Sequence, residues 1–239
     1  MLMAQITDTH IKPEGVLAYG RVDTAPYLAR AVEHLVALKP RPDLVLATGD
    51  LVDSGRPDEY RRLHDLLAPL PMPVYLIPGN HDDRDALAAA FADHAYMPRG
   101  GGFIQYVVEG YPVRLIALDT LVAGEVGGLL CAERLGWLAA RLAEAPDRPT
   151  VIFMHHPPFD TGIARMDAHG LANARKFADV VGRHRHAFRH CFVHFGLGFR
   201  LIHLGFEGDG SIDRGLADDF QQAKRKQGGD KADNHSSPQ

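Results

Sequence analysis

Continuous apolar runs of strand length recur along the chain up to residue 154. Their apolar positions do not alternate with polar ones, which indicates strands buried on both faces, as in parallel sheets. The runs extend over Leu2 to Thr7, Leu44 to Thr48, Val74 to Pro78, Val113 to Leu118 and Thr150 to Met154. A glycine-rich loop at 100–102 also favours an antiparallel strand at Ile104 to Val108.

Segments with helical periodicity separate these runs. They cover Thr24 to Leu38, Pro57 to Leu67, Asp83 to Phe91 and Glu133 to Ala143. Because strands and helices alternate, the pattern predicts an α/β fold in which a largely parallel sheet is flanked by helices. We expect one catalytic domain over residues 1–205 and a disordered tail over 206–239, since the chain from Gln221 onward is polar and nearly free of apolar residues.

Composition and charge limit the classes of binding partner and the cellular compartment that we expect. A net charge of -4 gives no general attraction to polyanions, so neither a nucleic acid nor an anionic membrane is expected as a partner. Cys131 and Cys191 lie far apart, which argues against a disulfide framework and for a reducing compartment. The chain begins without a basic leader and has no run of about 18 apolar residues, so we predict a cytoplasmic protein.

Polar residues stand where the predicted strands stop: Asp8, His10, Asp50, Asn80, His81, His155 and His156. Ligand sites of open parallel sheets lie beyond the carboxyl ends of the strands, so these residues should converge. Carboxylate, imidazole and amide donors without a thiolate suit Mn²⁺, Fe, Co²⁺ or Zn²⁺. The pattern therefore predicts a metal site.

The spacing of these polar residues is compatible with a site for two metal ions. Asp8 and His10 point the same way in an extended segment and can hold one ion together. Asp50 has two oxygens beside the flexible Gly49 and can bridge to a second ion. Two ions about 3.5–4 Å apart can activate water and neutralise a phosphoryl group under attack.

Each motif, taken alone, also has a structural interpretation that involves no metal. Gly49-Asp50 alone is typical of a turn, Asn80 of a helix cap, and His155 of a loop before Pro-Pro. The coincidence of four such motifs at successive strand ends favours the metal site. Tyr19, Arg56 and Tyr60 fit either a pocket wall or solvated surface, and surface is the favoured reading.

Four segments carry a family resemblance: Asp8-Thr9-His10, Gly49-Asp50, Gly79-Asn80-His81-Asp82 and Met154-His155-His156-Pro157-Pro158. In order and spacing they resemble the calcineurin-like metallophosphoesterases, and the segments LAYGRVDT, GRPDEY and YLIPGNHDD resemble the bacterial branch of class III cyclic-nucleotide and glycerophosphodiester phosphodiesterases. The resemblance covers about the first 170 residues. It implies a layered αββα sandwich of mostly parallel sheets flanked by helices.

The resemblance also implies roles for the site residues. Asp8, His10 and Asp50 would hold one metal, while Asp50, Asn80 and His155 would hold the other. A bridging hydroxide would attack a small phosphodiester, and His81 would stand beside the scissile phosphate.

Asp53 occupies the place where related phosphatases carry an aspartate that pairs with this histidine. Pairing with His81 would keep the imidazole protonated for donation to the leaving alkoxide. A simple loop-capping role for Asp53 remains the alternative.

The chain departs from the family pattern over residues 185–205. The family's Gly-His-x-His segment is missing; His194 fits its first histidine and Gly196 stands at the second. His190 or His203 could substitute as a ligand, but a partly exposed basic surface is the favoured interpretation of these histidines. A truncation or a change of reading frame near residue 183 would explain the departure. We therefore expect a metal-dependent phosphodiesterase acting on cyclic nucleotides or glycerophosphodiesters; the alternative is a weak or inactive metal-binding member with an incomplete site.

Overall fold

The structure, a computed structural model, describes residues 1–184, 187–188 and 198–203. Residues Met1–Ile202 form one compact unit. The predicted tail and the side chain of His194 lie outside the described residues. The strands are β1 (Leu2–Thr7), β2 (Leu44–Thr48), β3 (Val74–Ile77), β4 (Tyr106–Val108), β5 (Arg114–Ala117), β6 (Thr150–Phe153), β7 (Ala187–Phe188) and β8 (Gly198–His203).

Helices occupy the connections between the strands. They are α1 (Ala25–Ala37), α2 (Pro57–Leu67), α3 (Arg84–Ala90), α4 (Ala132–Glu144), α5 (Ala164–Asp167) and α6 (Ala174–Gly182). The predicted α/β order is confirmed. The last two helices were not predicted, because they follow the Pro-Pro turn where no further strand run marks a repeat of the pattern.

The strands divide between two four-stranded sheets instead of forming one. The first has the order β3-β2-β1-β8 and the second β4-β5-β6-β7. β1, β2 and β3 pair in parallel, as do β5, β6 and β7, while β4 pairs antiparallel with β5. This arrangement confirms the layered sandwich of mostly parallel sheets.

Burial explains the continuous apolar runs. Every residue of β2, β5 and β6 is buried, so neither face of these strands meets solvent. On the outer side of the second sheet, Leu138 of α4 and Phe177 of α6 join Ile116 and Ile152 in one apolar cluster. Burial on both faces removes the polar alternation that a half-exposed strand would show.

Tyrosines close the edges where the two sheets meet. The hydroxyl of Tyr96 donates to the carbonyl of Val74 at 2.6 Å and accepts from the N–H of Leu76 at 3.2 Å, so it pairs with the outer edge of β3. Tyr106 of β4 donates to the carbonyl of Leu76 at 2.7 Å. The bond from Tyr106 joins the edge strands of the two sheets, β4 and β3.

Candidate metal centre

The carboxyl ends of β1, β2 and β6 meet at one edge of the sandwich. Asp8, Asp50 and His155 each bring one ligand atom there, and these atoms all lie within 4.8 Å of one another. They come from both sheets, since β6 belongs to the second. The edge therefore joins three of the residues predicted as metal ligands.

Asp50 lies between two imidazoles. Its Oδ2 is 3.7 Å from Nε2 of His10, and its Oδ1 is 3.4 Å from Nε2 of His155. Burial opposes ionisation, but the ring of His155 and the N–H of His81 hold the pKa of Asp50 below its usual value. The carboxylate is thus charged at neutral pH and presents one oxygen to each side.

The tautomer of His155 is suited to metal binding. Its Nδ1 lies 2.9 Å from the carbonyl of Thr48, which can only accept, so Nδ1 carries the proton. Burial favours the neutral ring, yet the carboxylates of Asp50 and Asp8 raise the pKa of His155. The site thus attracts positive charge at Nε2, where a divalent ion would replace the proton.

His10 differs from His155 in the direction of its pKa shift. Burial lowers the pKa of His10, although Asp50 opposes this effect. The ring is therefore neutral at pH 7, which is the form that donates a lone pair to a metal ion.

The backbone at the site is unusual. Asp8, His10 and Asp50 have φ of 54°, 41° and 47°, in the left-handed region that residues with a side chain seldom adopt. Such conformations cost on the order of 1–3 kcal/mol each and cluster at functional sites. The extended segment expected for Asp8 and His10 is therefore wrong, because both residues have left-handed backbone.

Asp82 ties the loops after β2 and β3 together. Its carboxylate accepts from the N–H groups of Leu51 and Gly79 at 3.1 and 2.8 Å and from the hydroxyl of Tyr60 at 2.9 Å. Burial, followed by the charge of Asp50, raises the pKa of Asp82 to about 7. Tyr60 is fully buried, so the expectation that it lies on the solvated surface is wrong.

This tie places Asn80 and His81 beside Asp50. The N–H of His81 donates to Asp50 Oδ1 at 3.0 Å. Asn80 and His81 line a cavity of about 480 Å³ together with Arg84 and Phe103. Among the predicted metal ligands, Asn80 is part of the cavity lining. Tyr19 is 64% exposed, and its hydroxyl lies 3.4 Å from Nδ1 and 3.3 Å from Nε2 of His10.

Asp53 contacts His81 mainly through its backbone. Nδ1 of His81 lies 2.8 Å from the carbonyl of Asp53 but 3.9 Å from its carboxylate. The carboxylate lies closer to His10, with Oδ1 3.4 Å from Nδ1, and to Lys12, with Oδ2 2.8 Å from Nζ. The sequence placed Asp53 at the site but did not reveal Lys12.

His156 points away from its neighbour His155. Its Nδ1 lies 2.8 Å from the hydroxyl of Thr120 and its Nε2 lies 3.0 Å from the carbonyl of Val126. Burial, then the neighbouring His155, lowers the pKa of His156 to about 3. It is a neutral, buried residue that supports the loop. The strand-end pattern did not separate the two histidines, whereas the resemblance to the family assigned only His155 as a metal ligand.

Comparisons with known proteins agree with this architecture. A family model described as calcineurin-like phosphoesterase matches residues 1–187. A probable glycerophosphodiester phosphodiesterase, GpdQ, of Arcobacter nitrofigilis is 39% identical over 185 residues, which are 77% of this chain and 67% of that protein. A probable cyclic nucleotide phosphodiesterase of Rhodopseudomonas palustris is 41% identical over 189 residues, 77% of this chain and 68% of that protein.

A cyclic AMP phosphodiesterase, CpdA, of Pseudomonas aeruginosa is 32% identical over 181 residues, 76% of this chain and 64% of that protein. The chain spans about two thirds of the length of these relatives. Among solved structures, a dimetal phosphatase from Danio rerio superposes with a TM-score of 0.59 at 17% identity, over 89% of this chain and 85% of that one, which supports the fold.

Within the described part of the chain, no helix is long and apolar enough to cross a membrane. The matches confirm the predicted calcineurin-like metallophosphoesterase of the bacterial phosphodiesterase branch and, with it, the class of phosphoric ester hydrolases. The chain belongs to the calcineurin-like phosphoesterase family.

Proposed function

We propose that this chain hydrolyses small phosphodiesters at a centre for two divalent ions. One ion would be held by Asp8, His10 and Asp50 and the other by Asp50, Asn80 and His155. The observation that carries the proposal is the position of Asp50, whose two oxygens lie 3.7 and 3.4 Å from the Nε2 atoms of two different histidines. A carboxylate placed in this way can serve one ion on each side.

The donors present fit divalent ions of the Mn, Fe, Co or Zn type. Carboxylates and imidazoles converge within 4.8 Å in one cluster, and the Nδ1–H of His155 is already committed to Thr48, so Nε2 is left to bind. When bound, such ions would supply an activated water and neutralise the charge of the phosphoryl group.

His81 is the residue placed to act on the leaving group. Its Nδ1–H donates to the carbonyl of Asp53, so its Nε2 is the nitrogen available to the cavity. The bond from its N–H to Asp50 keeps the ring next to the metal ligands. From this position Nε2 can hold a phosphoryl oxygen or give a proton to the leaving alkoxide.

The substrate class follows from the relatives and the cavity. Relatives are named for glycerophosphodiesters and for cyclic nucleotides. A cavity of about 480 Å³ beside His81 accommodates a small alcohol or nucleoside group. We propose these two kinds of small phosphodiester as substrates, in a cytoplasmic setting.

The test is metal content measured together with hydrolysis of bis(p-nitrophenyl) phosphate in Mn²⁺, Co²⁺ or Zn²⁺. Replacement of Asp50 by Ala removes the shared ligand, so bound metal and turnover should fall together. Asp65→Ala, at an exposed position of α2, is the control and should change neither quantity. Near-normal metal content in Asp50→Ala would refute the shared-ligand role.

The second candidate is a member with an incomplete centre and little activity. It is favoured by Gly196, which stands where the family pattern has a metal-binding histidine. If the unmodified chain binds metal but does not hydrolyse the diester at saturating Mn²⁺ or Co²⁺, this second candidate is correct.

A further inference from the structure

A line of polar contacts begins at the side of His10 that faces away from Asp50. Nε2 of His10 lies toward Asp50, whereas Nδ1 lies 3.4 Å from Oδ1 of Asp53. Metal-binding histidines commonly direct their second nitrogen to a carboxylate, which fixes the tautomer and the orientation of the ring. Nδ1 of His10 also lies 3.4 Å from the hydroxyl of Tyr19, so the carboxylate of Asp53 is the charged acceptor on this side of the ring.

Lys12 determines where the carboxylate of Asp53 points. Its Nζ lies 2.8 Å from Oδ2 of Asp53 and 3.2 Å from the fully buried Glu59, and it donates to the hydroxyl of Ser54 at 2.5 Å. The backbone carbonyl of Lys12 accepts from Arg62 at 2.7 Å, which fixes the segment that follows His10. With Oδ2 of Asp53 paired to Lys12, Oδ1 is directed toward His10.

Oδ1 of Asp53 is buried and, within the described residues, makes no hydrogen bond of standard geometry. Nδ1 of His81 lies 3.9 Å away and already donates to the carbonyl of Asp53. Nδ1 of His10 is nearer, and a movement of about half an ångström would bring it to an ordinary N–H···O distance. Because an unsatisfied buried oxygen is costly, this contact is the one that should close.

We propose that Asp53 and Lys12 are positioning residues for His10: Asp53 accepts from the Nδ1–H of His10, and Lys12 holds Asp53 in that orientation. The inference rests on the proposed function, since it takes His10 to be a metal ligand. In this arrangement the carboxylate of Asp53 pairs with His10, whereas His81 pairs with the backbone carbonyl of Asp53. The consequence is that Nε2 of His10 keeps its lone pair directed at the metal centre.

Replacement of Asp53 by Asn tests this role. Lys12 will attract the new amide oxygen, so the amide NH₂ will face Nδ1 of His10. Nδ1 must then accept, and the ring proton moves to Nε2, where a metal ion has to displace it in order to bind. We expect Asp53→Asn to weaken Co²⁺ binding by roughly 10–100-fold without changing the number of ions bound at saturation.

The measurement is titration of the metal-free full chain with Co²⁺ alone, followed by visible absorption and equilibrium dialysis. Lys12→Met should also weaken binding, and Lys12→Arg should bind nearly as the unmodified chain does, because Arg keeps the charge. Arg114→Met is the matched control: Arg114 is 4% exposed and paired with Glu109 and Glu144 at the amino end of β5, so its loss should lower thermal stability without weakening Co²⁺ binding.

Three results would overturn the inference. Folded Asp53→Asn with unchanged affinity would show that the carboxylate does not position His10. Loss of a whole bound ion in Asp53→Asn would make Asp53 a ligand. Folded Lys12→Met that binds Co²⁺ as tightly as the unmodified chain would exclude the role of Lys12; if Lys12→Met does not fold, Asp53→Asn still decides the role of the carboxylate.

Asp50→Ala separates this inference from the proposed function. If Asp50→Ala still binds Co²⁺ normally, the metal centre itself is wrong. If it loses binding while folded Asp53→Asn does not, only the positioning role fails.

Discussion

Asp50 reaches both sides of the centre because two glycines leave room around it. Gly49 has φ of +94°, and a Cβ there would stand 2.6 Å from Nδ1 of His155. A Cβ on Gly79 would overlap the backbone N and Oδ1 of Asp50. At the residue scale, the absence of side chains at 49 and 79 is what allows the loops after β2 and β3 to approach β6.

Gly79→Ala is therefore expected to disrupt the centre through one methyl group. The Cβ meets the backbone of Asp50, which cannot move aside as a flexible side chain could, so metal affinity should fall by at least about tenfold and stability by about 1–3 kcal/mol. Dialysis with Co²⁺ and thermal unfolding measure the two effects. Gly136→Ala is the control, since nothing lies within 4 Å of a Cβ at this position and alanine favours the helix. Equal loss of metal in both variants would show that the overlap of the Gly79→Ala Cβ with Asp50 is not the cause.

His81→Ala is expected to leave most metal in place and to slow hydrolysis by roughly 10²–10⁴-fold, the range typical of losing a positioned acid or base. The deficit should be smaller for a p-nitrophenyl ester, whose leaving group needs no proton, than for an alkyl diester. Turnover of both substrates at saturating metal checks this. An equal deficit would mean that His81 holds the phosphoryl group and does not donate a proton.

The sequence predicted individual site residues where strand ends decide position. Asp8 and Asp50 follow adjacent parallel strands, whose carboxyl ends share an edge. His155 follows a strand of the other sheet, so its convergence with them depends on how the two sheets pack. The partner of Asp53 was beyond this reasoning, because it depends on the ion pair with Lys12 and on side-chain rotamers. The different orientations of His155 and His156 likewise depend on Thr48 and Thr120, which contribute no recognisable motif.

At the scale of elements, β3 illustrates how a protein satisfies the backbone groups of a sheet edge that has no neighbouring strand among the described residues. Tyr96 pairs its hydroxyl with both Val74 and Leu76 and also lies 2.9 Å from Nδ1 of His94. One side chain thus replaces part of a neighbouring strand. Unpaired edges invite association with other chains, so this contact protects both stability and solubility.

Tyr96→Phe should destabilise the chain by about 1–3 kcal/mol, because a buried carbonyl and a buried N–H lose this partner at once. Urea unfolding of the metal-free chain measures the change. Tyr75→Phe is the control. The hydroxyl of Tyr75 lies 3.2 Å from the hydroxyl of Tyr111, so its removal affects a contact between two side chains and not the backbone of β3. Equal effects of the two substitutions would argue against a special role for the β3 edge.

The sequence predicted the bounds of the strands and helices better than the division of the strands between two sheets. Apolar runs and caps gave β1 to β3, β5, β6 and the first four helices with bounds close to those observed. The division into two sheets could not be derived from the runs, because a strand buried on both faces has the same pattern in either arrangement. Only the resemblance to the family implied two layers.

At the scale of the whole molecule, the proposed centre draws its ligands from segments between Asp8 and His155, and the resemblance to the family adds a ligand from the region that departs from the family pattern. By that resemblance, the ion held by Asp8 and His10 lacks the histidine replaced by Gly196. The other ion keeps Asp50, Asn80 and His155, and His194 remains a proposed ligand outside the described residues. The two ions should therefore differ in affinity.

We predict that the purified chain retains substantially fewer than two tightly bound ions and that its activity rises with added Mn²⁺ or Co²⁺. Loss of supporting contacts commonly weakens a metal site by about 10–100-fold. Gly196→His should tighten the weaker ion, and Gly210→His, farther along the chain, is the control. Two ions that survive dialysis in the unmodified chain would show that His190, His203 or another group completes the site.

The placement of the centre across both sheets also bears on the order of events during folding. Asp8 and Asp50 extend from the first sheet, whereas His155 extends from the second, so their donors meet only after the two layers have docked. An ion that recognises the docked arrangement stabilises the native state more than a transition state in which the layers are still apart. Metal should consequently slow unfolding while leaving the rate of folding nearly unchanged, which gives the loaded protein kinetic persistence.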